Sequence, residues 1–274
     1  MKDTAPMLDQ LFNQTPIWLI GAGLFVALCL AAEAGFRLQH WLDRRWPAGE
    51  DKGGGVGQIL GVSLGLMSLL LSFTFSIANN HHDTRKALVL AEANAIGTAY
   101  QRAELIDEPV RGMLIAGLRD YTQARIAFYE AGDDRAKLAA VEQRTGVLQG
   151  QLWASTGQAV RSLPGSNVSG LLMEAMNHMF DQASARKTAM AAHVPVAVLF
   201  GLTVLLQASA VMLGAALSED RRRHPLLAMM MLALLSFTMT LIVDIDRPRQ
   251  HHVRVNQAPL LDLRAALLTA PDEM

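Results

Sequence analysis

Residues 10–32, 53–82, 188–218 and 224–243 contain no Asp, Glu, Lys or Arg. Each stretch is close to the ~20 apolar residues that an α-helix needs to cross the hydrocarbon of a bilayer. A helix satisfies its backbone hydrogen bonds within one segment, which lipid cannot do for it. The pattern therefore predicts transmembrane helices at about 16–38, 56–78, 193–217 and 225–245.

Between the second and third of these, apolar residues recur at helical spacing. From Ser76 to Leu105 there is no Pro, and Gly97 is the sole Gly, so the second helix is expected to continue out of the membrane until Pro109 ends it. Further helices are predicted over 110–131 (Val110, Leu114, Leu118, Tyr121, Ile126, Phe128), over 134–161 (Leu138, Val141, Leu148, Leu152, Val160) and from 168 (Leu171, Leu172, Met176, Met179, Phe180). Gly132-Asp133-Asp134 and Leu163-Pro164-Gly165-Ser166-Asn167 break them apart. No segment alternates with a period of two over strand length. The fold class is all-α: an integral membrane protein with an extramembrane helical bundle inserted between transmembrane helices two and three. The divisions are 1–78 (N-terminal tail and helices one and two), 79–190 (bundle), 191–246 (helices three and four) and 247–274 (C-terminal tail). Leu260, Leu261, Leu263, Leu267 and Leu268 in that tail are expected to fold against the bundle.

Composition adds limits. A net charge of −1 gives no sign of nucleic-acid binding. The single cysteine, Cys29, lies inside the first apolar stretch and excludes an intrachain disulfide. The first stretch has no basic region before it, because Asp3 and Asp9 follow Lys2, so it reads as a retained helix rather than a leader. A bacterial inner membrane is the expected location. Orientation stays open. Arg37, Arg44, Arg45, Lys52, Arg221, Arg222 and Arg223 in the short loops favour those loops in the cytoplasm and the bundle in the periplasm. Arg85, Lys86, Arg186 and Lys187 beside the bundle argue the reverse.

Helix two carries Gly57, Gly61 and Gly65, with Ser68 and Ser72 on nearly the same stripe. Small residues on one face let another backbone approach closely. The stripe fits a packing seam in an oligomer, the lining of a pore, or packing within one protomer. Ser63, Thr74 and Ser76 add hydroxyls that can face water or bond back to their own helix. At one end of the membrane helices, Arg85, Asp244, Asp246, Arg247 and Arg249 form a charged mouth. Carboxylates near hydrocarbon are costly, so Asp244 and Asp246 are expected to pair with these arginines or to attract ions at a pore mouth. Glu33 and Arg37 are placed to pair at the other interface. His81, His82, His251 and His252 are the candidates for a metal, but adjacent histidines point to different sides of a helix, and a solvated polar collar is the default. No nucleophile elbow, phosphate loop, His-Glu-x-x-His or CxxC is present. Neither an enzyme nor a cofactor is implied.

The stretch from Ser72 to Leu105, above all Glu92-Ala93-Asn94-Ala95-Ile96-Gly97-Thr98-Ala99-Tyr100, resembles a bacterial membrane family labelled bestrophin-like, of unknown function. Asp244-Ile245-Asp246-Arg247-Pro248-Arg249, Val253-Arg254-Val255 and Gln257-Ala258-Pro259-Leu260 resemble it too, so the likeness spans about 16–268. The resemblance implies kinship with bestrophins, which are pentameric anion channels, cation-selective in some bacteria. No bestrophin pore residue transfers by motif: Phe73, Phe75 and Ile77 are bulky, but residues two apart do not share a helix face. Within the matching segment, Glu92, Asn94, Thr98 and Tyr100 stand among small Ala and Gly residues and suit a polar seam, inside the bundle or between subunits, or a ligand site. The leading expectation is a homo-oligomer in the lipid bilayer that conducts small ions. The alternative is a non-conducting sensor or scaffold whose bundle binds a partner or ligand.

Overall fold

A computed structural model describes residues 15–46, 55–219, 225–247 and 255–269. Every regular element among them is an α-helix. The chain divides into two compact units, residues 1–80 with 193–247, and residues 81–192 with 248–274.

The first unit contains α1 (Ile17–Arg45), the beginning of α2 (Gly55–Ala103), α6 (Val196–Glu219) and α7 (Pro225–Asp246). Together with the segment running through α5 into α6, these provide 4 spans long and apolar enough to cross a membrane. Pro195 precedes α6 and Pro225 is the first residue of α7, positions where a missing N–H costs nothing. α1 packs against α6 and α7. The α1–α6 approach is backbone on backbone. A Cβ built on Gly35 would stand 2.0 Å from the carbonyl oxygen of Val211, and one on Gly214 would stand 1.7 Å from that of Ala32. Only glycine fits there. Ser236 Oγ donates to the Gly21 carbonyl at 2.9 Å, joining α7 to α1. The Ser63 and Ser209 hydroxyls lie 2.9 Å apart and join α2 to α6. Polar links of this kind matter because lipid provides no hydrophobic force between helices.

The second unit contains the rest of α2, then α3 (Val110–Glu130), α4 (Arg135–Ser162), α5 (Asn167–Ala191) and α8 (Ala258–Thr269). Gly132, at φ +58°, makes the turn into α4 in a conformation that favours glycine. Asp134 caps α4 by accepting from the amides of Ala136 (3.0 Å) and Lys137 (3.1 Å), and Ser166 caps α5 by accepting from Val168 (3.2 Å). The core joins Ile96 and Ala99 of α2, Leu114 and Leu118 of α3, Leu148 and Leu152 of α4, Leu172 and Met176 of α5, and Leu260 and Leu267 of α8. The second unit thus takes α8 from the C-terminal tail into its own core.

Candidate functional site

Two features could carry function: the outer face of α2 in the first unit, and a buried ion cluster in the second. On α2, the residues turned into the protomer are Met67, Leu71, Thr74 and Ala78. Gly57, Gly61, Gly65, Ser68 and Ser72 are exposed, and a Cβ on any of those three glycines would meet nothing within 4 Å. Beside them Ile59, Val62, Leu66, Leu69 and Phe73 are exposed as well, at alternating three- and four-residue steps. The close packing that small residues permit is found instead on α1 and α6. Of the hydroxyls, Thr74 bonds back to Leu70 O at 2.8 Å and Ser63 meets Ser209, whereas Ser68, Ser72 and Ser76 stay exposed.

The structure separates the four polar residues of the Glu92–Tyr100 segment. Tyr100 is in the core and Glu92 is 0% exposed, while Asn94 and Thr98 face outwards. Asn94 and Thr98 line two grooves that flank α2. One, of about 320 Å³, is shared with Glu174 and His178 of α5; the other, of about 500 Å³, is shared with Asp262 and Leu263 of α8.

Glu92 is the centre of the ion cluster. Arg125 of α3 donates Nε–H to Glu92 Oε1. Arg186 of α5 donates from Nη1 to Glu92 Oε2 at 2.5 Å and from Nη2 to the Gln257 side-chain oxygen at 2.5 Å. The Arg125 and Arg186 side chains are 4% and 1% exposed. Both guanidinium carbons stand over the Phe128 ring, 4.8 and 5.9 Å from its centroid, a cation–π arrangement. Two cations thus share one anion out of contact with water. Arg125 Nη2 and Arg186 Nε are buried and find no hydrogen-bond partner among the described residues.

Tyr121 lies against this cluster, its hydroxyl 3.3 Å from the Gln149 side-chain nitrogen, and desolvation pushes its pKa up from 10.0 to about 12. Up to pH 10 the phenol holds its proton in folded and unfolded chains alike. Between pH 10 and 12 only the folded chain keeps it, so stability falls as pH rises. Two units correspond to about 2–3 kcal/mol. Wild type and Tyr121→Phe unfolded side by side in detergent at pH 9 and pH 11.5 should diverge, the wild type losing more. Parallel losses would place the phenol in water.

At the expected charged mouth, helix ends supply partners for the charged side chains. Arg85 is buried and binds backbone: its Nε donates to Ala189 O at 3.0 Å and its Nη2 to Ala192 O. Both Asp246 carboxylate oxygens accept from Val194 N at 3.1 Å, which satisfies an amide at the start of α6. His193 Nδ1 stands 3.6 Å from Asp246 Oδ2. Asp244 is buried, and its Oδ1 has no partner among the described residues. Arg247 Nη1 donates to Thr15 O at 3.3 Å. Arg249, His251 and His252 lie outside the described residues, as do Arg221, Arg222, Arg223 and the 47–54 loop. His81 and His82 are described, but no group of three or more His, Cys, Asp or Glu able to hold a metal occurs among the described residues. Arg37 and Glu33 pair at 2.8 Å on the surface, where such a pair contributes little.

Sequence reasoning missed Arg125, Gly35 and Gly214, gave Gln257 no role beyond the family-like run it belongs to, and read Arg186 as a basic residue flanking the bundle. Arg125 and Arg186 had a detectable signal. Leu114, Leu118, Tyr121, Arg125 and Phe128 follow one helical stripe, as do Leu172, Met176, Met179, Ala183, Arg186 and Met190, so each arginine sits where an apolar residue is due.

The fold is shared with known structures. A bacterial Bestrophin homolog from Klebsiella pneumoniae, solved by Zn-SAD phasing, superposes with a TM-score of 0.65 at 14% identity over 90% of this chain and 97% of its own. A point mutant of a Klebsiella pneumoniae homolog gives 0.67 at 14% identity over 93% and 98%. No curated protein matches. The Bestrophin-like domain profile matches residues 26–260, and with most of its length so covered the chain belongs to the bestrophin-like family.

Proposed function

We propose that the protein assembles into a homo-oligomeric ring in the bacterial inner membrane and conducts small ions along a path lined by α2. The observation that carries this is the small-residue face of α2: Gly57, Gly61 and Gly65 meet nothing within 4 Å among the described residues, and Ser68 and Ser72 are exposed beside them. A helix presenting such a face to lipid gains nothing from it, whereas copies of α2 around an axis can approach closely on it and leave hydroxyls for a wet interior. The family and the shared fold support the same reading.

The second reading is a non-conducting sensor or scaffold. It is favoured by α2 itself, 49 residues of unbroken helix that run from one unit into the other. A rigid rod of this kind transmits tilt or rotation.

The oligomeric mass in mild detergent and ion flux from proteoliposomes separate the two. A ring of several copies with salt-dependent flux supports conduction. Gly61→Leu or Gly65→Leu should then reduce flux sharply, since a bulky side chain narrows the path. A monomer or dimer without flux sinks the channel, and unaltered flux in both variants moves the path away from α2.

A further inference from the structure

The chain passes between its two units along α2, through α5 into α6, and from α7 to the segment that begins α8. We propose that the Glu92–Arg125–Arg186–Gln257 cluster is a tie that makes these three stretches move as one. The proposal rests on the channel reading only for its effect on conduction; the tie itself does not.

Each stretch supplies one member. Glu92 is on α2, Arg186 lies five residues before the end of α5, and Gln257 immediately precedes α8. Arg186 holds the other two at once, through Nη1 to Glu92 and Nη2 to Gln257, both at 2.5 Å. Arg125 braces the carboxylate from α3. Two turns earlier on α2, Arg85 grips the end of α5 through the carbonyls of Ala189 and Ala192. Sliding any of these stretches against the others strips a partner from a charge that water does not reach.

The chemistry argues against a role in stability alone. Two buried cations on one anion, with two N–H groups unsatisfied among the described residues, form a costly arrangement that apolar residues of like volume would often better. The grooves that open on this unit are lined by Asn94, Thr98, Glu174 and Asp262, not by the cluster. Buried polar networks impose a single arrangement, because half-made alternatives are heavily penalised.

Gln257→Ala tests the tie without removing a charge. Hydrogen–deuterium exchange is measured on the full chain in detergent, and flux on the same preparation in liposomes. Exchange is expected to rise at 255–260 and also at 85–92 and 183–191, on helices to which Gln257 does not belong. Where the wild type conducts, flux should change about 5- to 150-fold, the usual span of coupling between sites. Arg85→Lys, which keeps the charge but loses the two-pronged grip, should raise exchange at 85–92 and 183–191 together. An increase confined to 255–260 in the first variant, or to one helix in the second, overturns the tie. A wild type without flux overturns the channel reading and leaves the exchange result to decide this one.

Discussion

Gly214→Ala is expected to destabilise the membrane unit by about 3 kcal/mol, the upper end of what overpacking costs. The new methyl would lie 1.7 Å from Ala32 O and 2.8 Å from Phe36 N. Both atoms are backbone inside α1, so neither can swing aside as a side chain does. The helices must separate, which loses the dispersion contacts along the whole seam. Gly35→Ala meets Val211 O at 2.0 Å and should behave alike. The double variant should cost less than the sum, because once the first methyl has parted the helices the second meets less resistance. Gly23→Ala and Gly201→Ala supply the contrast, since nothing lies within 4 Å of either added carbon. In a helix interior alanine is the better residue by up to ~1 kcal/mol, so these two should melt at or above the wild-type temperature. Thermal unfolding in one detergent orders the four single variants. If Gly214→Ala melts with Gly23→Ala, the α1–α6 approach is not as close as the structure has it.

That seam was not legible in the sequence, and the reason is physical. Small residues on helix two stood four apart and drew attention, whereas Gly35 and Gly214 are single glycines on different helices. Their meaning appears only when the two backbones are brought together. The fold was legible because long charge-free runs and helical periodicity are local properties. The unbroken stretch after Ser76 predicted that α2 would leave the membrane as helix, and the structure carries α2 to Ala103. The Glu92–Tyr100 segment was legible as polar on a small-residue background. Its division into Glu92 inwards and Asn94 outwards depends on which side α3 and α5 pack, and that is a tertiary fact. At the membrane mouth, backbone groups at helix ends take part in bonding the charged side chains, which a charge pattern alone does not show. Arg85 donates to carbonyls at the end of α5, and Asp246 accepts from the amide of Val194. Helix termini offer such unsatisfied groups in every chain, and they compete with ion pairs for charged side chains.

Glu92→Ala should cost about 3–5 kcal/mol, the usual penalty for leaving buried charge without its partner. Arg125 and Arg186 would then face each other across a space with no anion and no water. Replacing all three charges, Glu92→Met with Arg125→Leu and Arg186→Met, should recover most of that loss, because the desolvation penalty disappears with the charges. Unfolding measured on single and triple variants distinguishes the cases. If the triple variant is as unstable as Glu92→Ala, mutual attraction in the cluster holds the bundle together, and its charges need no further role. If the triple variant folds at wild-type stability, the charges are dispensable for the fold, and what they contribute is the fixed arrangement of α2, α5 and Gln257. The triple variant should then keep its melting temperature and oligomeric mass. Its exchange should rise at 85–92, 183–191 and 255–260 together, as in Gln257→Ala, since an apolar core can slide where three shared hydrogen bonds cannot.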